Sequence, residues 1–289
     1  VEVTSGTREE AEFIELPRRI YRDNPYFVPW FDRSMRKIIA RDHPYFEHSH
    51  GDFYLAVRDG ETVGRIAMLE PRRYNEYQQQ SEARFYFLEL REDADVAHAL
   101  FRHAEEWTRS RGLTRLVGPQ GFSAFAGAGI LIHGFDRSAS MTMMPYHLPY
   151  YRNLVESYGF DTLRDFHSPY LVADTHDLTP VYRRAAEIAM KRGRFHVPEY
   201  RTKRELRTVA QEIRETYNDA FGARDNITPL TEAELDQIVE DILLVAKPSL
   251  IRVLRAGDDL AGFVLAFPDL SDALRASRGR LRRTPRQGG

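Results

Sequence analysis

Two stretches of this sequence repeat one another at a fixed distance, and that limits the fold more than any single motif. The first reads Tyr54-Leu55-Ala56-Val57, then Val63-Gly64-Arg65-Ile66-Ala67, and closes at Pro71. The second reads Ile251-Arg252-Val253-Leu254, then Ala261-Gly262-Phe263-Val264-Leu265, and closes at Pro268. Each joins two apolar, β-branched runs through a glycine-containing turn, Arg58-Asp59-Gly60-Glu61-Thr62 or Arg255-Ala256-Gly257-Asp258-Asp259, which is the pattern of a β-hairpin. A pair of helix-periodic stretches precedes each hairpin: Glu9–Tyr21 and Arg33–Ala40 before the first, Glu205–Phe221 and Glu232–Ala246 before the second. An internal duplication is the simplest account. The 289 residues suffice for two modest domains but not for two complete copies, because an arginine-rich tail follows the second hairpin.

Between the hairpins the element pattern is clear. Arg84–Leu90 reads as an aromatic-rich strand, with Phe85, Phe87 and Glu89 on one face and Tyr86, Leu88 and Leu90 on the other. Val96, Ala99, Leu100, Ala104 and Trp107 form one apolar stripe of a helix that Asp93 or Asp95 can cap and Gly112 can end. Arg115–Val117 is a short strand, Tyr150–Tyr158 a helix closed by Gly159, Thr162–Ala173 an extended stretch and Leu178–Arg192 a linking helix. The expected organisation is therefore a first domain over 1–174, a linking helix over 175–193, a partial second repeat over 194–274 and a basic, disordered tail over 275–289.

Composition removes several classes of function. With 17 Phe, 15 Tyr and 2 Trp the chain carries too much apolar surface to be disordered. The absence of cysteine excludes disulfides, thiolate metal sites and a cysteine nucleophile, and fits a cytoplasmic protein. No run approaches the ~20 apolar residues of a membrane helix, and the acidic N-terminus does not read as a signal peptide. Six arginines and no acid follow Asp272, so a formal charge of −2 overall becomes −8 for residues 1–274. An acidic body argues against nucleic-acid binding.

The element order resembles the GNAT acyltransferase superfamily, and the duplication resembles its tandem forms, more closely a bacterial group of tandem GNAT-like proteins. The strings that carry this resemblance are Asn24-Pro25-Tyr26-Phe27-Val28-Pro29, His43-Pro44-Tyr45-Phe46, Val63-Gly64-Arg65-Ile66, Gly118-Pro119, Gly134-Phe135-Asp136 and Pro149-Tyr150-Tyr151 followed by Tyr158-Gly159-Phe160. It spans roughly residues 8–281. It implies an α+β fold: a GNAT-like mixed central sheet flanked by helices, followed by a partial second GNAT-like repeat.

The resemblance also implies acyl transfer from acetyl-CoA or another acyl-CoA to an amine on a small molecule or peptide. The pantetheine arm would lie along Phe87, Leu88 and Leu90, and the pyrophosphate at the start of the next helix, around Ala97 and His98. Glu89 is the candidate general base and Tyr151 the candidate acid. The sequence departs from the family pattern at two points. In the family's Arg/Gln-x-x-Gly-x-Gly/Ala turn, only Ala97 is kept; Glu92 and Asp95 place carboxylates where a diphosphate would rest, and Asp93 and Asp95 read better as helix caps. The family's acid tyrosine position is Val155, with Tyr150 and Tyr151 about one turn earlier.

Other clusters read more plainly as structure. His43, His48 and His50 stand near Asp42, Glu47 and Asp52, but no second ligand cluster fixes a metal geometry, and no metal is expected. Gly118–Gly129 lacks the phosphate-loop spacing, and Ser123 has no triad partners at a known spacing. Met141, Met143 and Met144 read as core or pocket lining. The aromatic string Pro145–Tyr151 could border a ligand cleft. The functional expectation is an acyltransferase with an amine acceptor; the alternative is a non-catalytic GNAT-like module that binds a ligand or partner. Neither nucleic acid nor membrane is expected as a partner, and homodimerisation is left open.

Overall fold

A computed structural model of the chain describes all residues except 124–125, 139–143, 170–171, 173–179, 192–194, 222–226 and 281–289. The chain forms two compact units: Val1–Phe166 together with Asp269–Gly289, and His167–Pro268. The candidate site lies wholly within the first.

In the first unit, helices α1 (Arg8–Ile20) and α2 (Asp32–Ile39) precede the hairpin of β1 (His50–Arg58) and β2 (Glu61–Glu70). The short helix α3 (Arg72–Gln78), strand β3 (Glu82–Leu90), helix α4 (Ala94–Ser110), strand β4 (Arg115–Val117) and helix α5 (Tyr151–Tyr158) follow. Strand order is β1-β2-β3-β4, antiparallel except for the parallel β3–β4 pair. That is a mixed sheet flanked by helices, the α+β arrangement that the resemblance implied. Helices α4 and α5 cover one face over Ile66, Phe85, Leu88 and Leu90. Helices α1 and α2 cover the other over Phe53, Tyr86 and Phe87.

Every residue of β3 is buried, so both of its faces must be apolar or internally paired. Its strict alternation does not hold. Arg65 stands opposite Glu89 and Ala67 opposite Tyr86, so Phe87 and Leu88 both face the single residue Ile66. This is a β-bulge, with Phe87 at φ +48°. The extra residue turns Phe87 to the same side as Tyr86, while Phe85 packs on the opposite face with Leu88 and Leu90. The expectation that Phe85 and Phe87 share a face is thereby corrected. Beyond the bulge β3 also loses its other neighbour: β4 pairs only with Glu82, Ala83 and Arg84.

Helix α1 is capped by the Thr7 hydroxyl, which accepts the Glu10 N–H, and it ends at Tyr21, whose N–H donates to Pro17 O. The Asn24 side chain then accepts the N–H groups of Tyr26 and Phe27, turning the chain toward Trp30. The segment 269–280 belongs to this unit. After helix Ser271–Ser277, Gly279 O accepts the N–H of Asp32 at the start of α2. Residues 162–169, the described start of the stretch expected to be extended, form no strand.

The second unit contains α6 (Pro180–Lys191), β5 (Phe195–His196), α7 (Lys203–Thr208), α8 (Ala210–Phe221), α9 (Glu232–Val245), β6 (Ile251–Ala256) and β7 (Asp259–Leu265). The stretch expected as a single helix over 205–221 is two, broken at Val209. The two hairpins match in register. Arg58 pairs with Glu61 and Ala56 with Gly64, with a bulge between Ala56 and Val57; Ala256 pairs with Asp259 and Leu254 with Gly262, with a bulge between Leu254 and Arg255. No helix among the described residues is long and apolar enough to cross a membrane.

Candidate active site

Where β3 bulges away from its neighbours, a cleft lies against the strand. Most of its lining is apolar, including Phe27, Trp30, Met35, Phe87, Leu88 and Met144. The charged and titratable groups in that lining include Glu89, Arg65, Arg18 and His147.

Glu89 is 8% exposed. Its Oε2 accepts the Tyr21 hydroxyl at 2.6 Å and the Tyr151 hydroxyl at 2.9 Å. Its Oε1 has no partner among the described residues. Burial raises the carboxyl above its ordinary range, against the pull of Arg65 and the two tyrosine hydrogen bonds. The two tyrosines respond in the same sense: desolvation first, then the nearby carboxylate, push both hydroxyls well above 10. Tyr21 and Tyr151 therefore keep their protons and hold Glu89 in place.

Arg65, the cross-strand partner of Glu89, is 4% exposed. Its guanidinium donates to Phe13 O at 2.5 Å and lies over the Phe13 and Phe87 rings, 4.7 and 5.6 Å from their centroids. Burial lowers its pKa to about 10, so it remains a cation at neutral pH. Its charge favours the ionised form of Glu89 across the strand pair without a direct ion pair, and its Nε–H has no partner among the described residues.

Tyr151 also closes the end of the strand. Its hydroxyl accepts the Leu90 N–H at 3.0 Å, and Leu90 O accepts the Tyr150 hydroxyl at 2.7 Å. The backbone groups of Leu90 that face the open edge are thus occupied by Tyr151 and by Tyr150, the residue that caps α5. Of the residues expected at the site, Glu89 and Tyr151 are brought together, and Phe87 and Leu88 line the cleft. Ala97 and His98 do not line it: the Ala97 N–H donates to Asp93 O inside α4, and His98 Nε2 lies 3.2 Å from Ser157 Oγ.

The turn before α4 does not fit a diphosphate. Asp93 Oδ1 accepts the Val96 N–H at 3.1 Å and its Oδ2 pairs with Arg58 at 2.6 Å, so a carboxylate already occupies the anion position. Glu92 and Asp95 add exposed carboxylates beside it.

The histidine-rich loop before β1 is a structural knot. Asp52 accepts the Trp107 indole N–H at 2.8 Å, pairs with Arg41 and Arg111, and lies 3.0 Å from His50. Among the described residues no group of three or more His, Asp or Glu is placed to hold a metal ion. Ser123 lies in a described loop, while Met141 and Met143 fall outside the described residues.

Tyr21, Arg65 and His147 join the site without a site motif of their own. Of the three, His147 carries the nearest sequence signal, since it sits inside the aromatic string 145–151 expected to border a cleft. Tyr21 and Arg65 carried no local signal: they meet Glu89 from an adjoining helix end and the neighbouring strand.

No known protein-family model matches this sequence. It is 27% identical over 277 residues to "Bacterial ceramide synthase" of Caulobacter vibrioides, covering 94% of this chain and 71% of that protein. It is 23% identical over 270 residues to "Protein YghO" of Escherichia coli, covering 93% of this chain and 68% of that protein. Among solved structures, a tandem GNAT protein from the clavulanic acid biosynthesis pathway aligns over 91% of this chain and 72% of that chain, with 15% identity and a TM-score of 0.49.

Proposed function

We propose that this chain transfers a fatty acyl group from a thioester to the amine of a long-chain amino alcohol or related amine. The observation that carries the reading is Glu89: a buried carboxylate with a raised pKa and one oxygen free, facing an apolar cleft. A raised carboxyl is a better base near neutral pH than an ordinary one, and an apolar cleft suits acyl or alkyl chains. The similarity to a protein named ceramide synthase supports this acceptor class, because a ceramide is the amide of a fatty acid with a long-chain amino alcohol.

In this mechanism the amine nitrogen attacks the thioester carbonyl and the C–N bond forms. The C–S bond breaks as the tetrahedral intermediate collapses, and the thiolate leaves. Glu89 Oε1 takes the proton released from nitrogen. Tyr21 and Tyr151 fix the carboxylate through Oε2, and Arg65 stabilises its charged form. Tyr151 serves as a positioning residue, since a hydroxyl pushed well above 10 is a poor proton donor. No step is routed through the nucleotide of CoA, because the turn before α4 does not fit its diphosphate.

The test is amide formation from a long-chain amino alcohol, followed by mass spectrometry with two donors: an acyl-CoA and the same acyl group on N-acetylcysteamine, which lacks the nucleotide. Amide should form with both donors at rates within about threefold, and Glu89→Gln should lower the rate by at least about 100-fold without lowering the melting temperature. Glu89→Gln activity within threefold of the parent would remove Glu89 as base. The unfit turn before α4 favours a second reading, a non-catalytic ligand-binding module. Under that reading the amines bind but no amide forms with either donor.

A further inference from the structure

His147 is 2% exposed and lines the same cleft as Glu89. Its Nδ1 is 3.3 Å from the backbone N–H of Leu131, which can only donate, so Nδ1 accepts and the ring proton resides on Nε2. Burial alone lowers its pKa to about 4, so this tautomer stays neutral across the physiological range. Its ring packs against Tyr151 with centroids 4.9 Å apart, and the Tyr151 hydroxyl in turn holds Glu89. The Nε2–H has no partner among the described residues. A donor that lines a mostly apolar cleft and has no protein acceptor favours a ligand that offers it an oxygen over one that lacks it.

We propose that His147 is the specificity-determining residue of the site: its Nε2–H donates to a hydroxyl or carbonyl oxygen on the carbon beside the reacting amine, while Glu89 Oε1 accepts the amine N–H. This inference rests on the acyl-transfer reading and narrows its acceptor to a vicinal amino alcohol or amino ketone with an apolar chain. Beside Tyr151 stand one free acceptor, Glu89 Oε1, and one neutral donor, His147 Nε2–H, and adjacent amine and oxygen functions complement both; the cationic lining groups Arg18 and Arg65 are already held by Glu15 and Asp32 and by the Phe13 carbonyl. A plain alkylamine satisfies Glu89 and leaves His147 unpaired. Sites built to bind a hydroxyl discriminate strongly against analogues that lack it, because the stranded polar group cannot return to water.

The experiment compares a 2-amino-1-alkanol with the alkylamine of equal chain length. The variants are His147→Phe, which keeps an aromatic ring without the donor, and His147→Gln, which keeps a side-chain N–H. The native protein should favour the amino alcohol by at least about 100-fold in kcat/KM. In His147→Phe the ratio should collapse to within about threefold of unity, and His147→Gln should recover part of it. An unchanged ratio in His147→Phe, or an equal fall on both amines, overturns the assignment.

Calorimetric binding of the two amines to the same three proteins, without donor, gives an independent readout. If the native protein makes no amide from either amine, acyl transfer fails as a function. The His147 inference then stands if the amino alcohol binds more tightly in the native protein but not in His147→Phe, and falls if the affinities match throughout.

Discussion

Glu89 and His147 are both buried beside Tyr151, yet burial acts on them with opposite sign. In each case it favours the neutral form, which for a carboxyl is the protonated one and for imidazole the deprotonated one. The folded state therefore holds the Glu89 proton more tightly than the unfolded chain, and this contribution to stability falls as pH rises from 4.5 through the raised value. For His147 the unfolded chain binds the proton more tightly between about 4 and 6.5, so this contribution falls as pH drops through that window. Lowering the pH from 7 to 4 should cost about 3 kcal/mol through His147. Urea unfolding of the native protein and His147→Gln at both pH values checks this: the native protein should lose more stability than the variant by about that amount. Equal losses would mean that His147 is accessible to protons in the folded state. Acyl transfer, in contrast, should rise with pH as the raised Glu89 carboxyl ionises.

At the scale of elements, the two hairpins share a register but not a setting. A Cβ added at Gly64 would come 3.0 Å from both Leu100 Cδ1 and Val96 Cγ1, because α4 packs directly on β2 there. A Cβ at the matching Gly262 would meet nothing within 4 Å. Gly64→Ala should therefore destabilise the first unit by about 1–3 kcal/mol through overpacking. Gly262→Ala should be neutral or stabilise by up to about 1 kcal/mol by restricting the unfolded chain. Thermal or urea unfolding of the two variants separates them; equal effects would mean that Gly262 is as closely covered as Gly64. The same contrast explains what was legible in the sequence. The hairpins, the capped helix α4 and the strand β3 announce themselves through local spacing. The bulge at Phe87 does not, because it depends on which residues of β2 and β3 pair, and it reverses the facing of Phe85 and Phe87 relative to simple alternation.

Across the whole molecule, the site is assembled from residues far apart in the chain, so local spacing reveals only part of it. Glu89 and Tyr151 lie on a strand and a helix that local spacing already marks. Tyr21, Arg65 and His147 become neighbours only once α1, β2 and the loop before α5 have packed. The longest-range contribution comes from the C-terminal segment. Gly279 O accepts the Asp32 N–H, and Arg280 lies 3.7 Å from Glu15. Arg18, which lines the cleft, bonds to both Glu15 and Asp32. Gly279 adopts φ +72°, and a Cβ there would collide with Trp30 O. Trp30 forms a cleft wall with its ring edge-on to Phe87, centroids 5.3 Å apart. The segment therefore fixes the backbone that presents Trp30 to the cleft. Gly279→Ala combines an unfavourable backbone conformation with a backbone clash, and should destabilise the first unit by about 2–3 kcal/mol. Freed from that contact, Trp30 should become more exposed and shift its fluorescence to longer wavelength, whereas Trp107, a buried residue of α4 bonded to Asp52, should not. Emission spectra of Gly279→Ala, with and without Trp30→Phe, assign the shift. An unshifted spectrum together with an unchanged melting temperature would show that residues 269–280 do not hold the cleft wall.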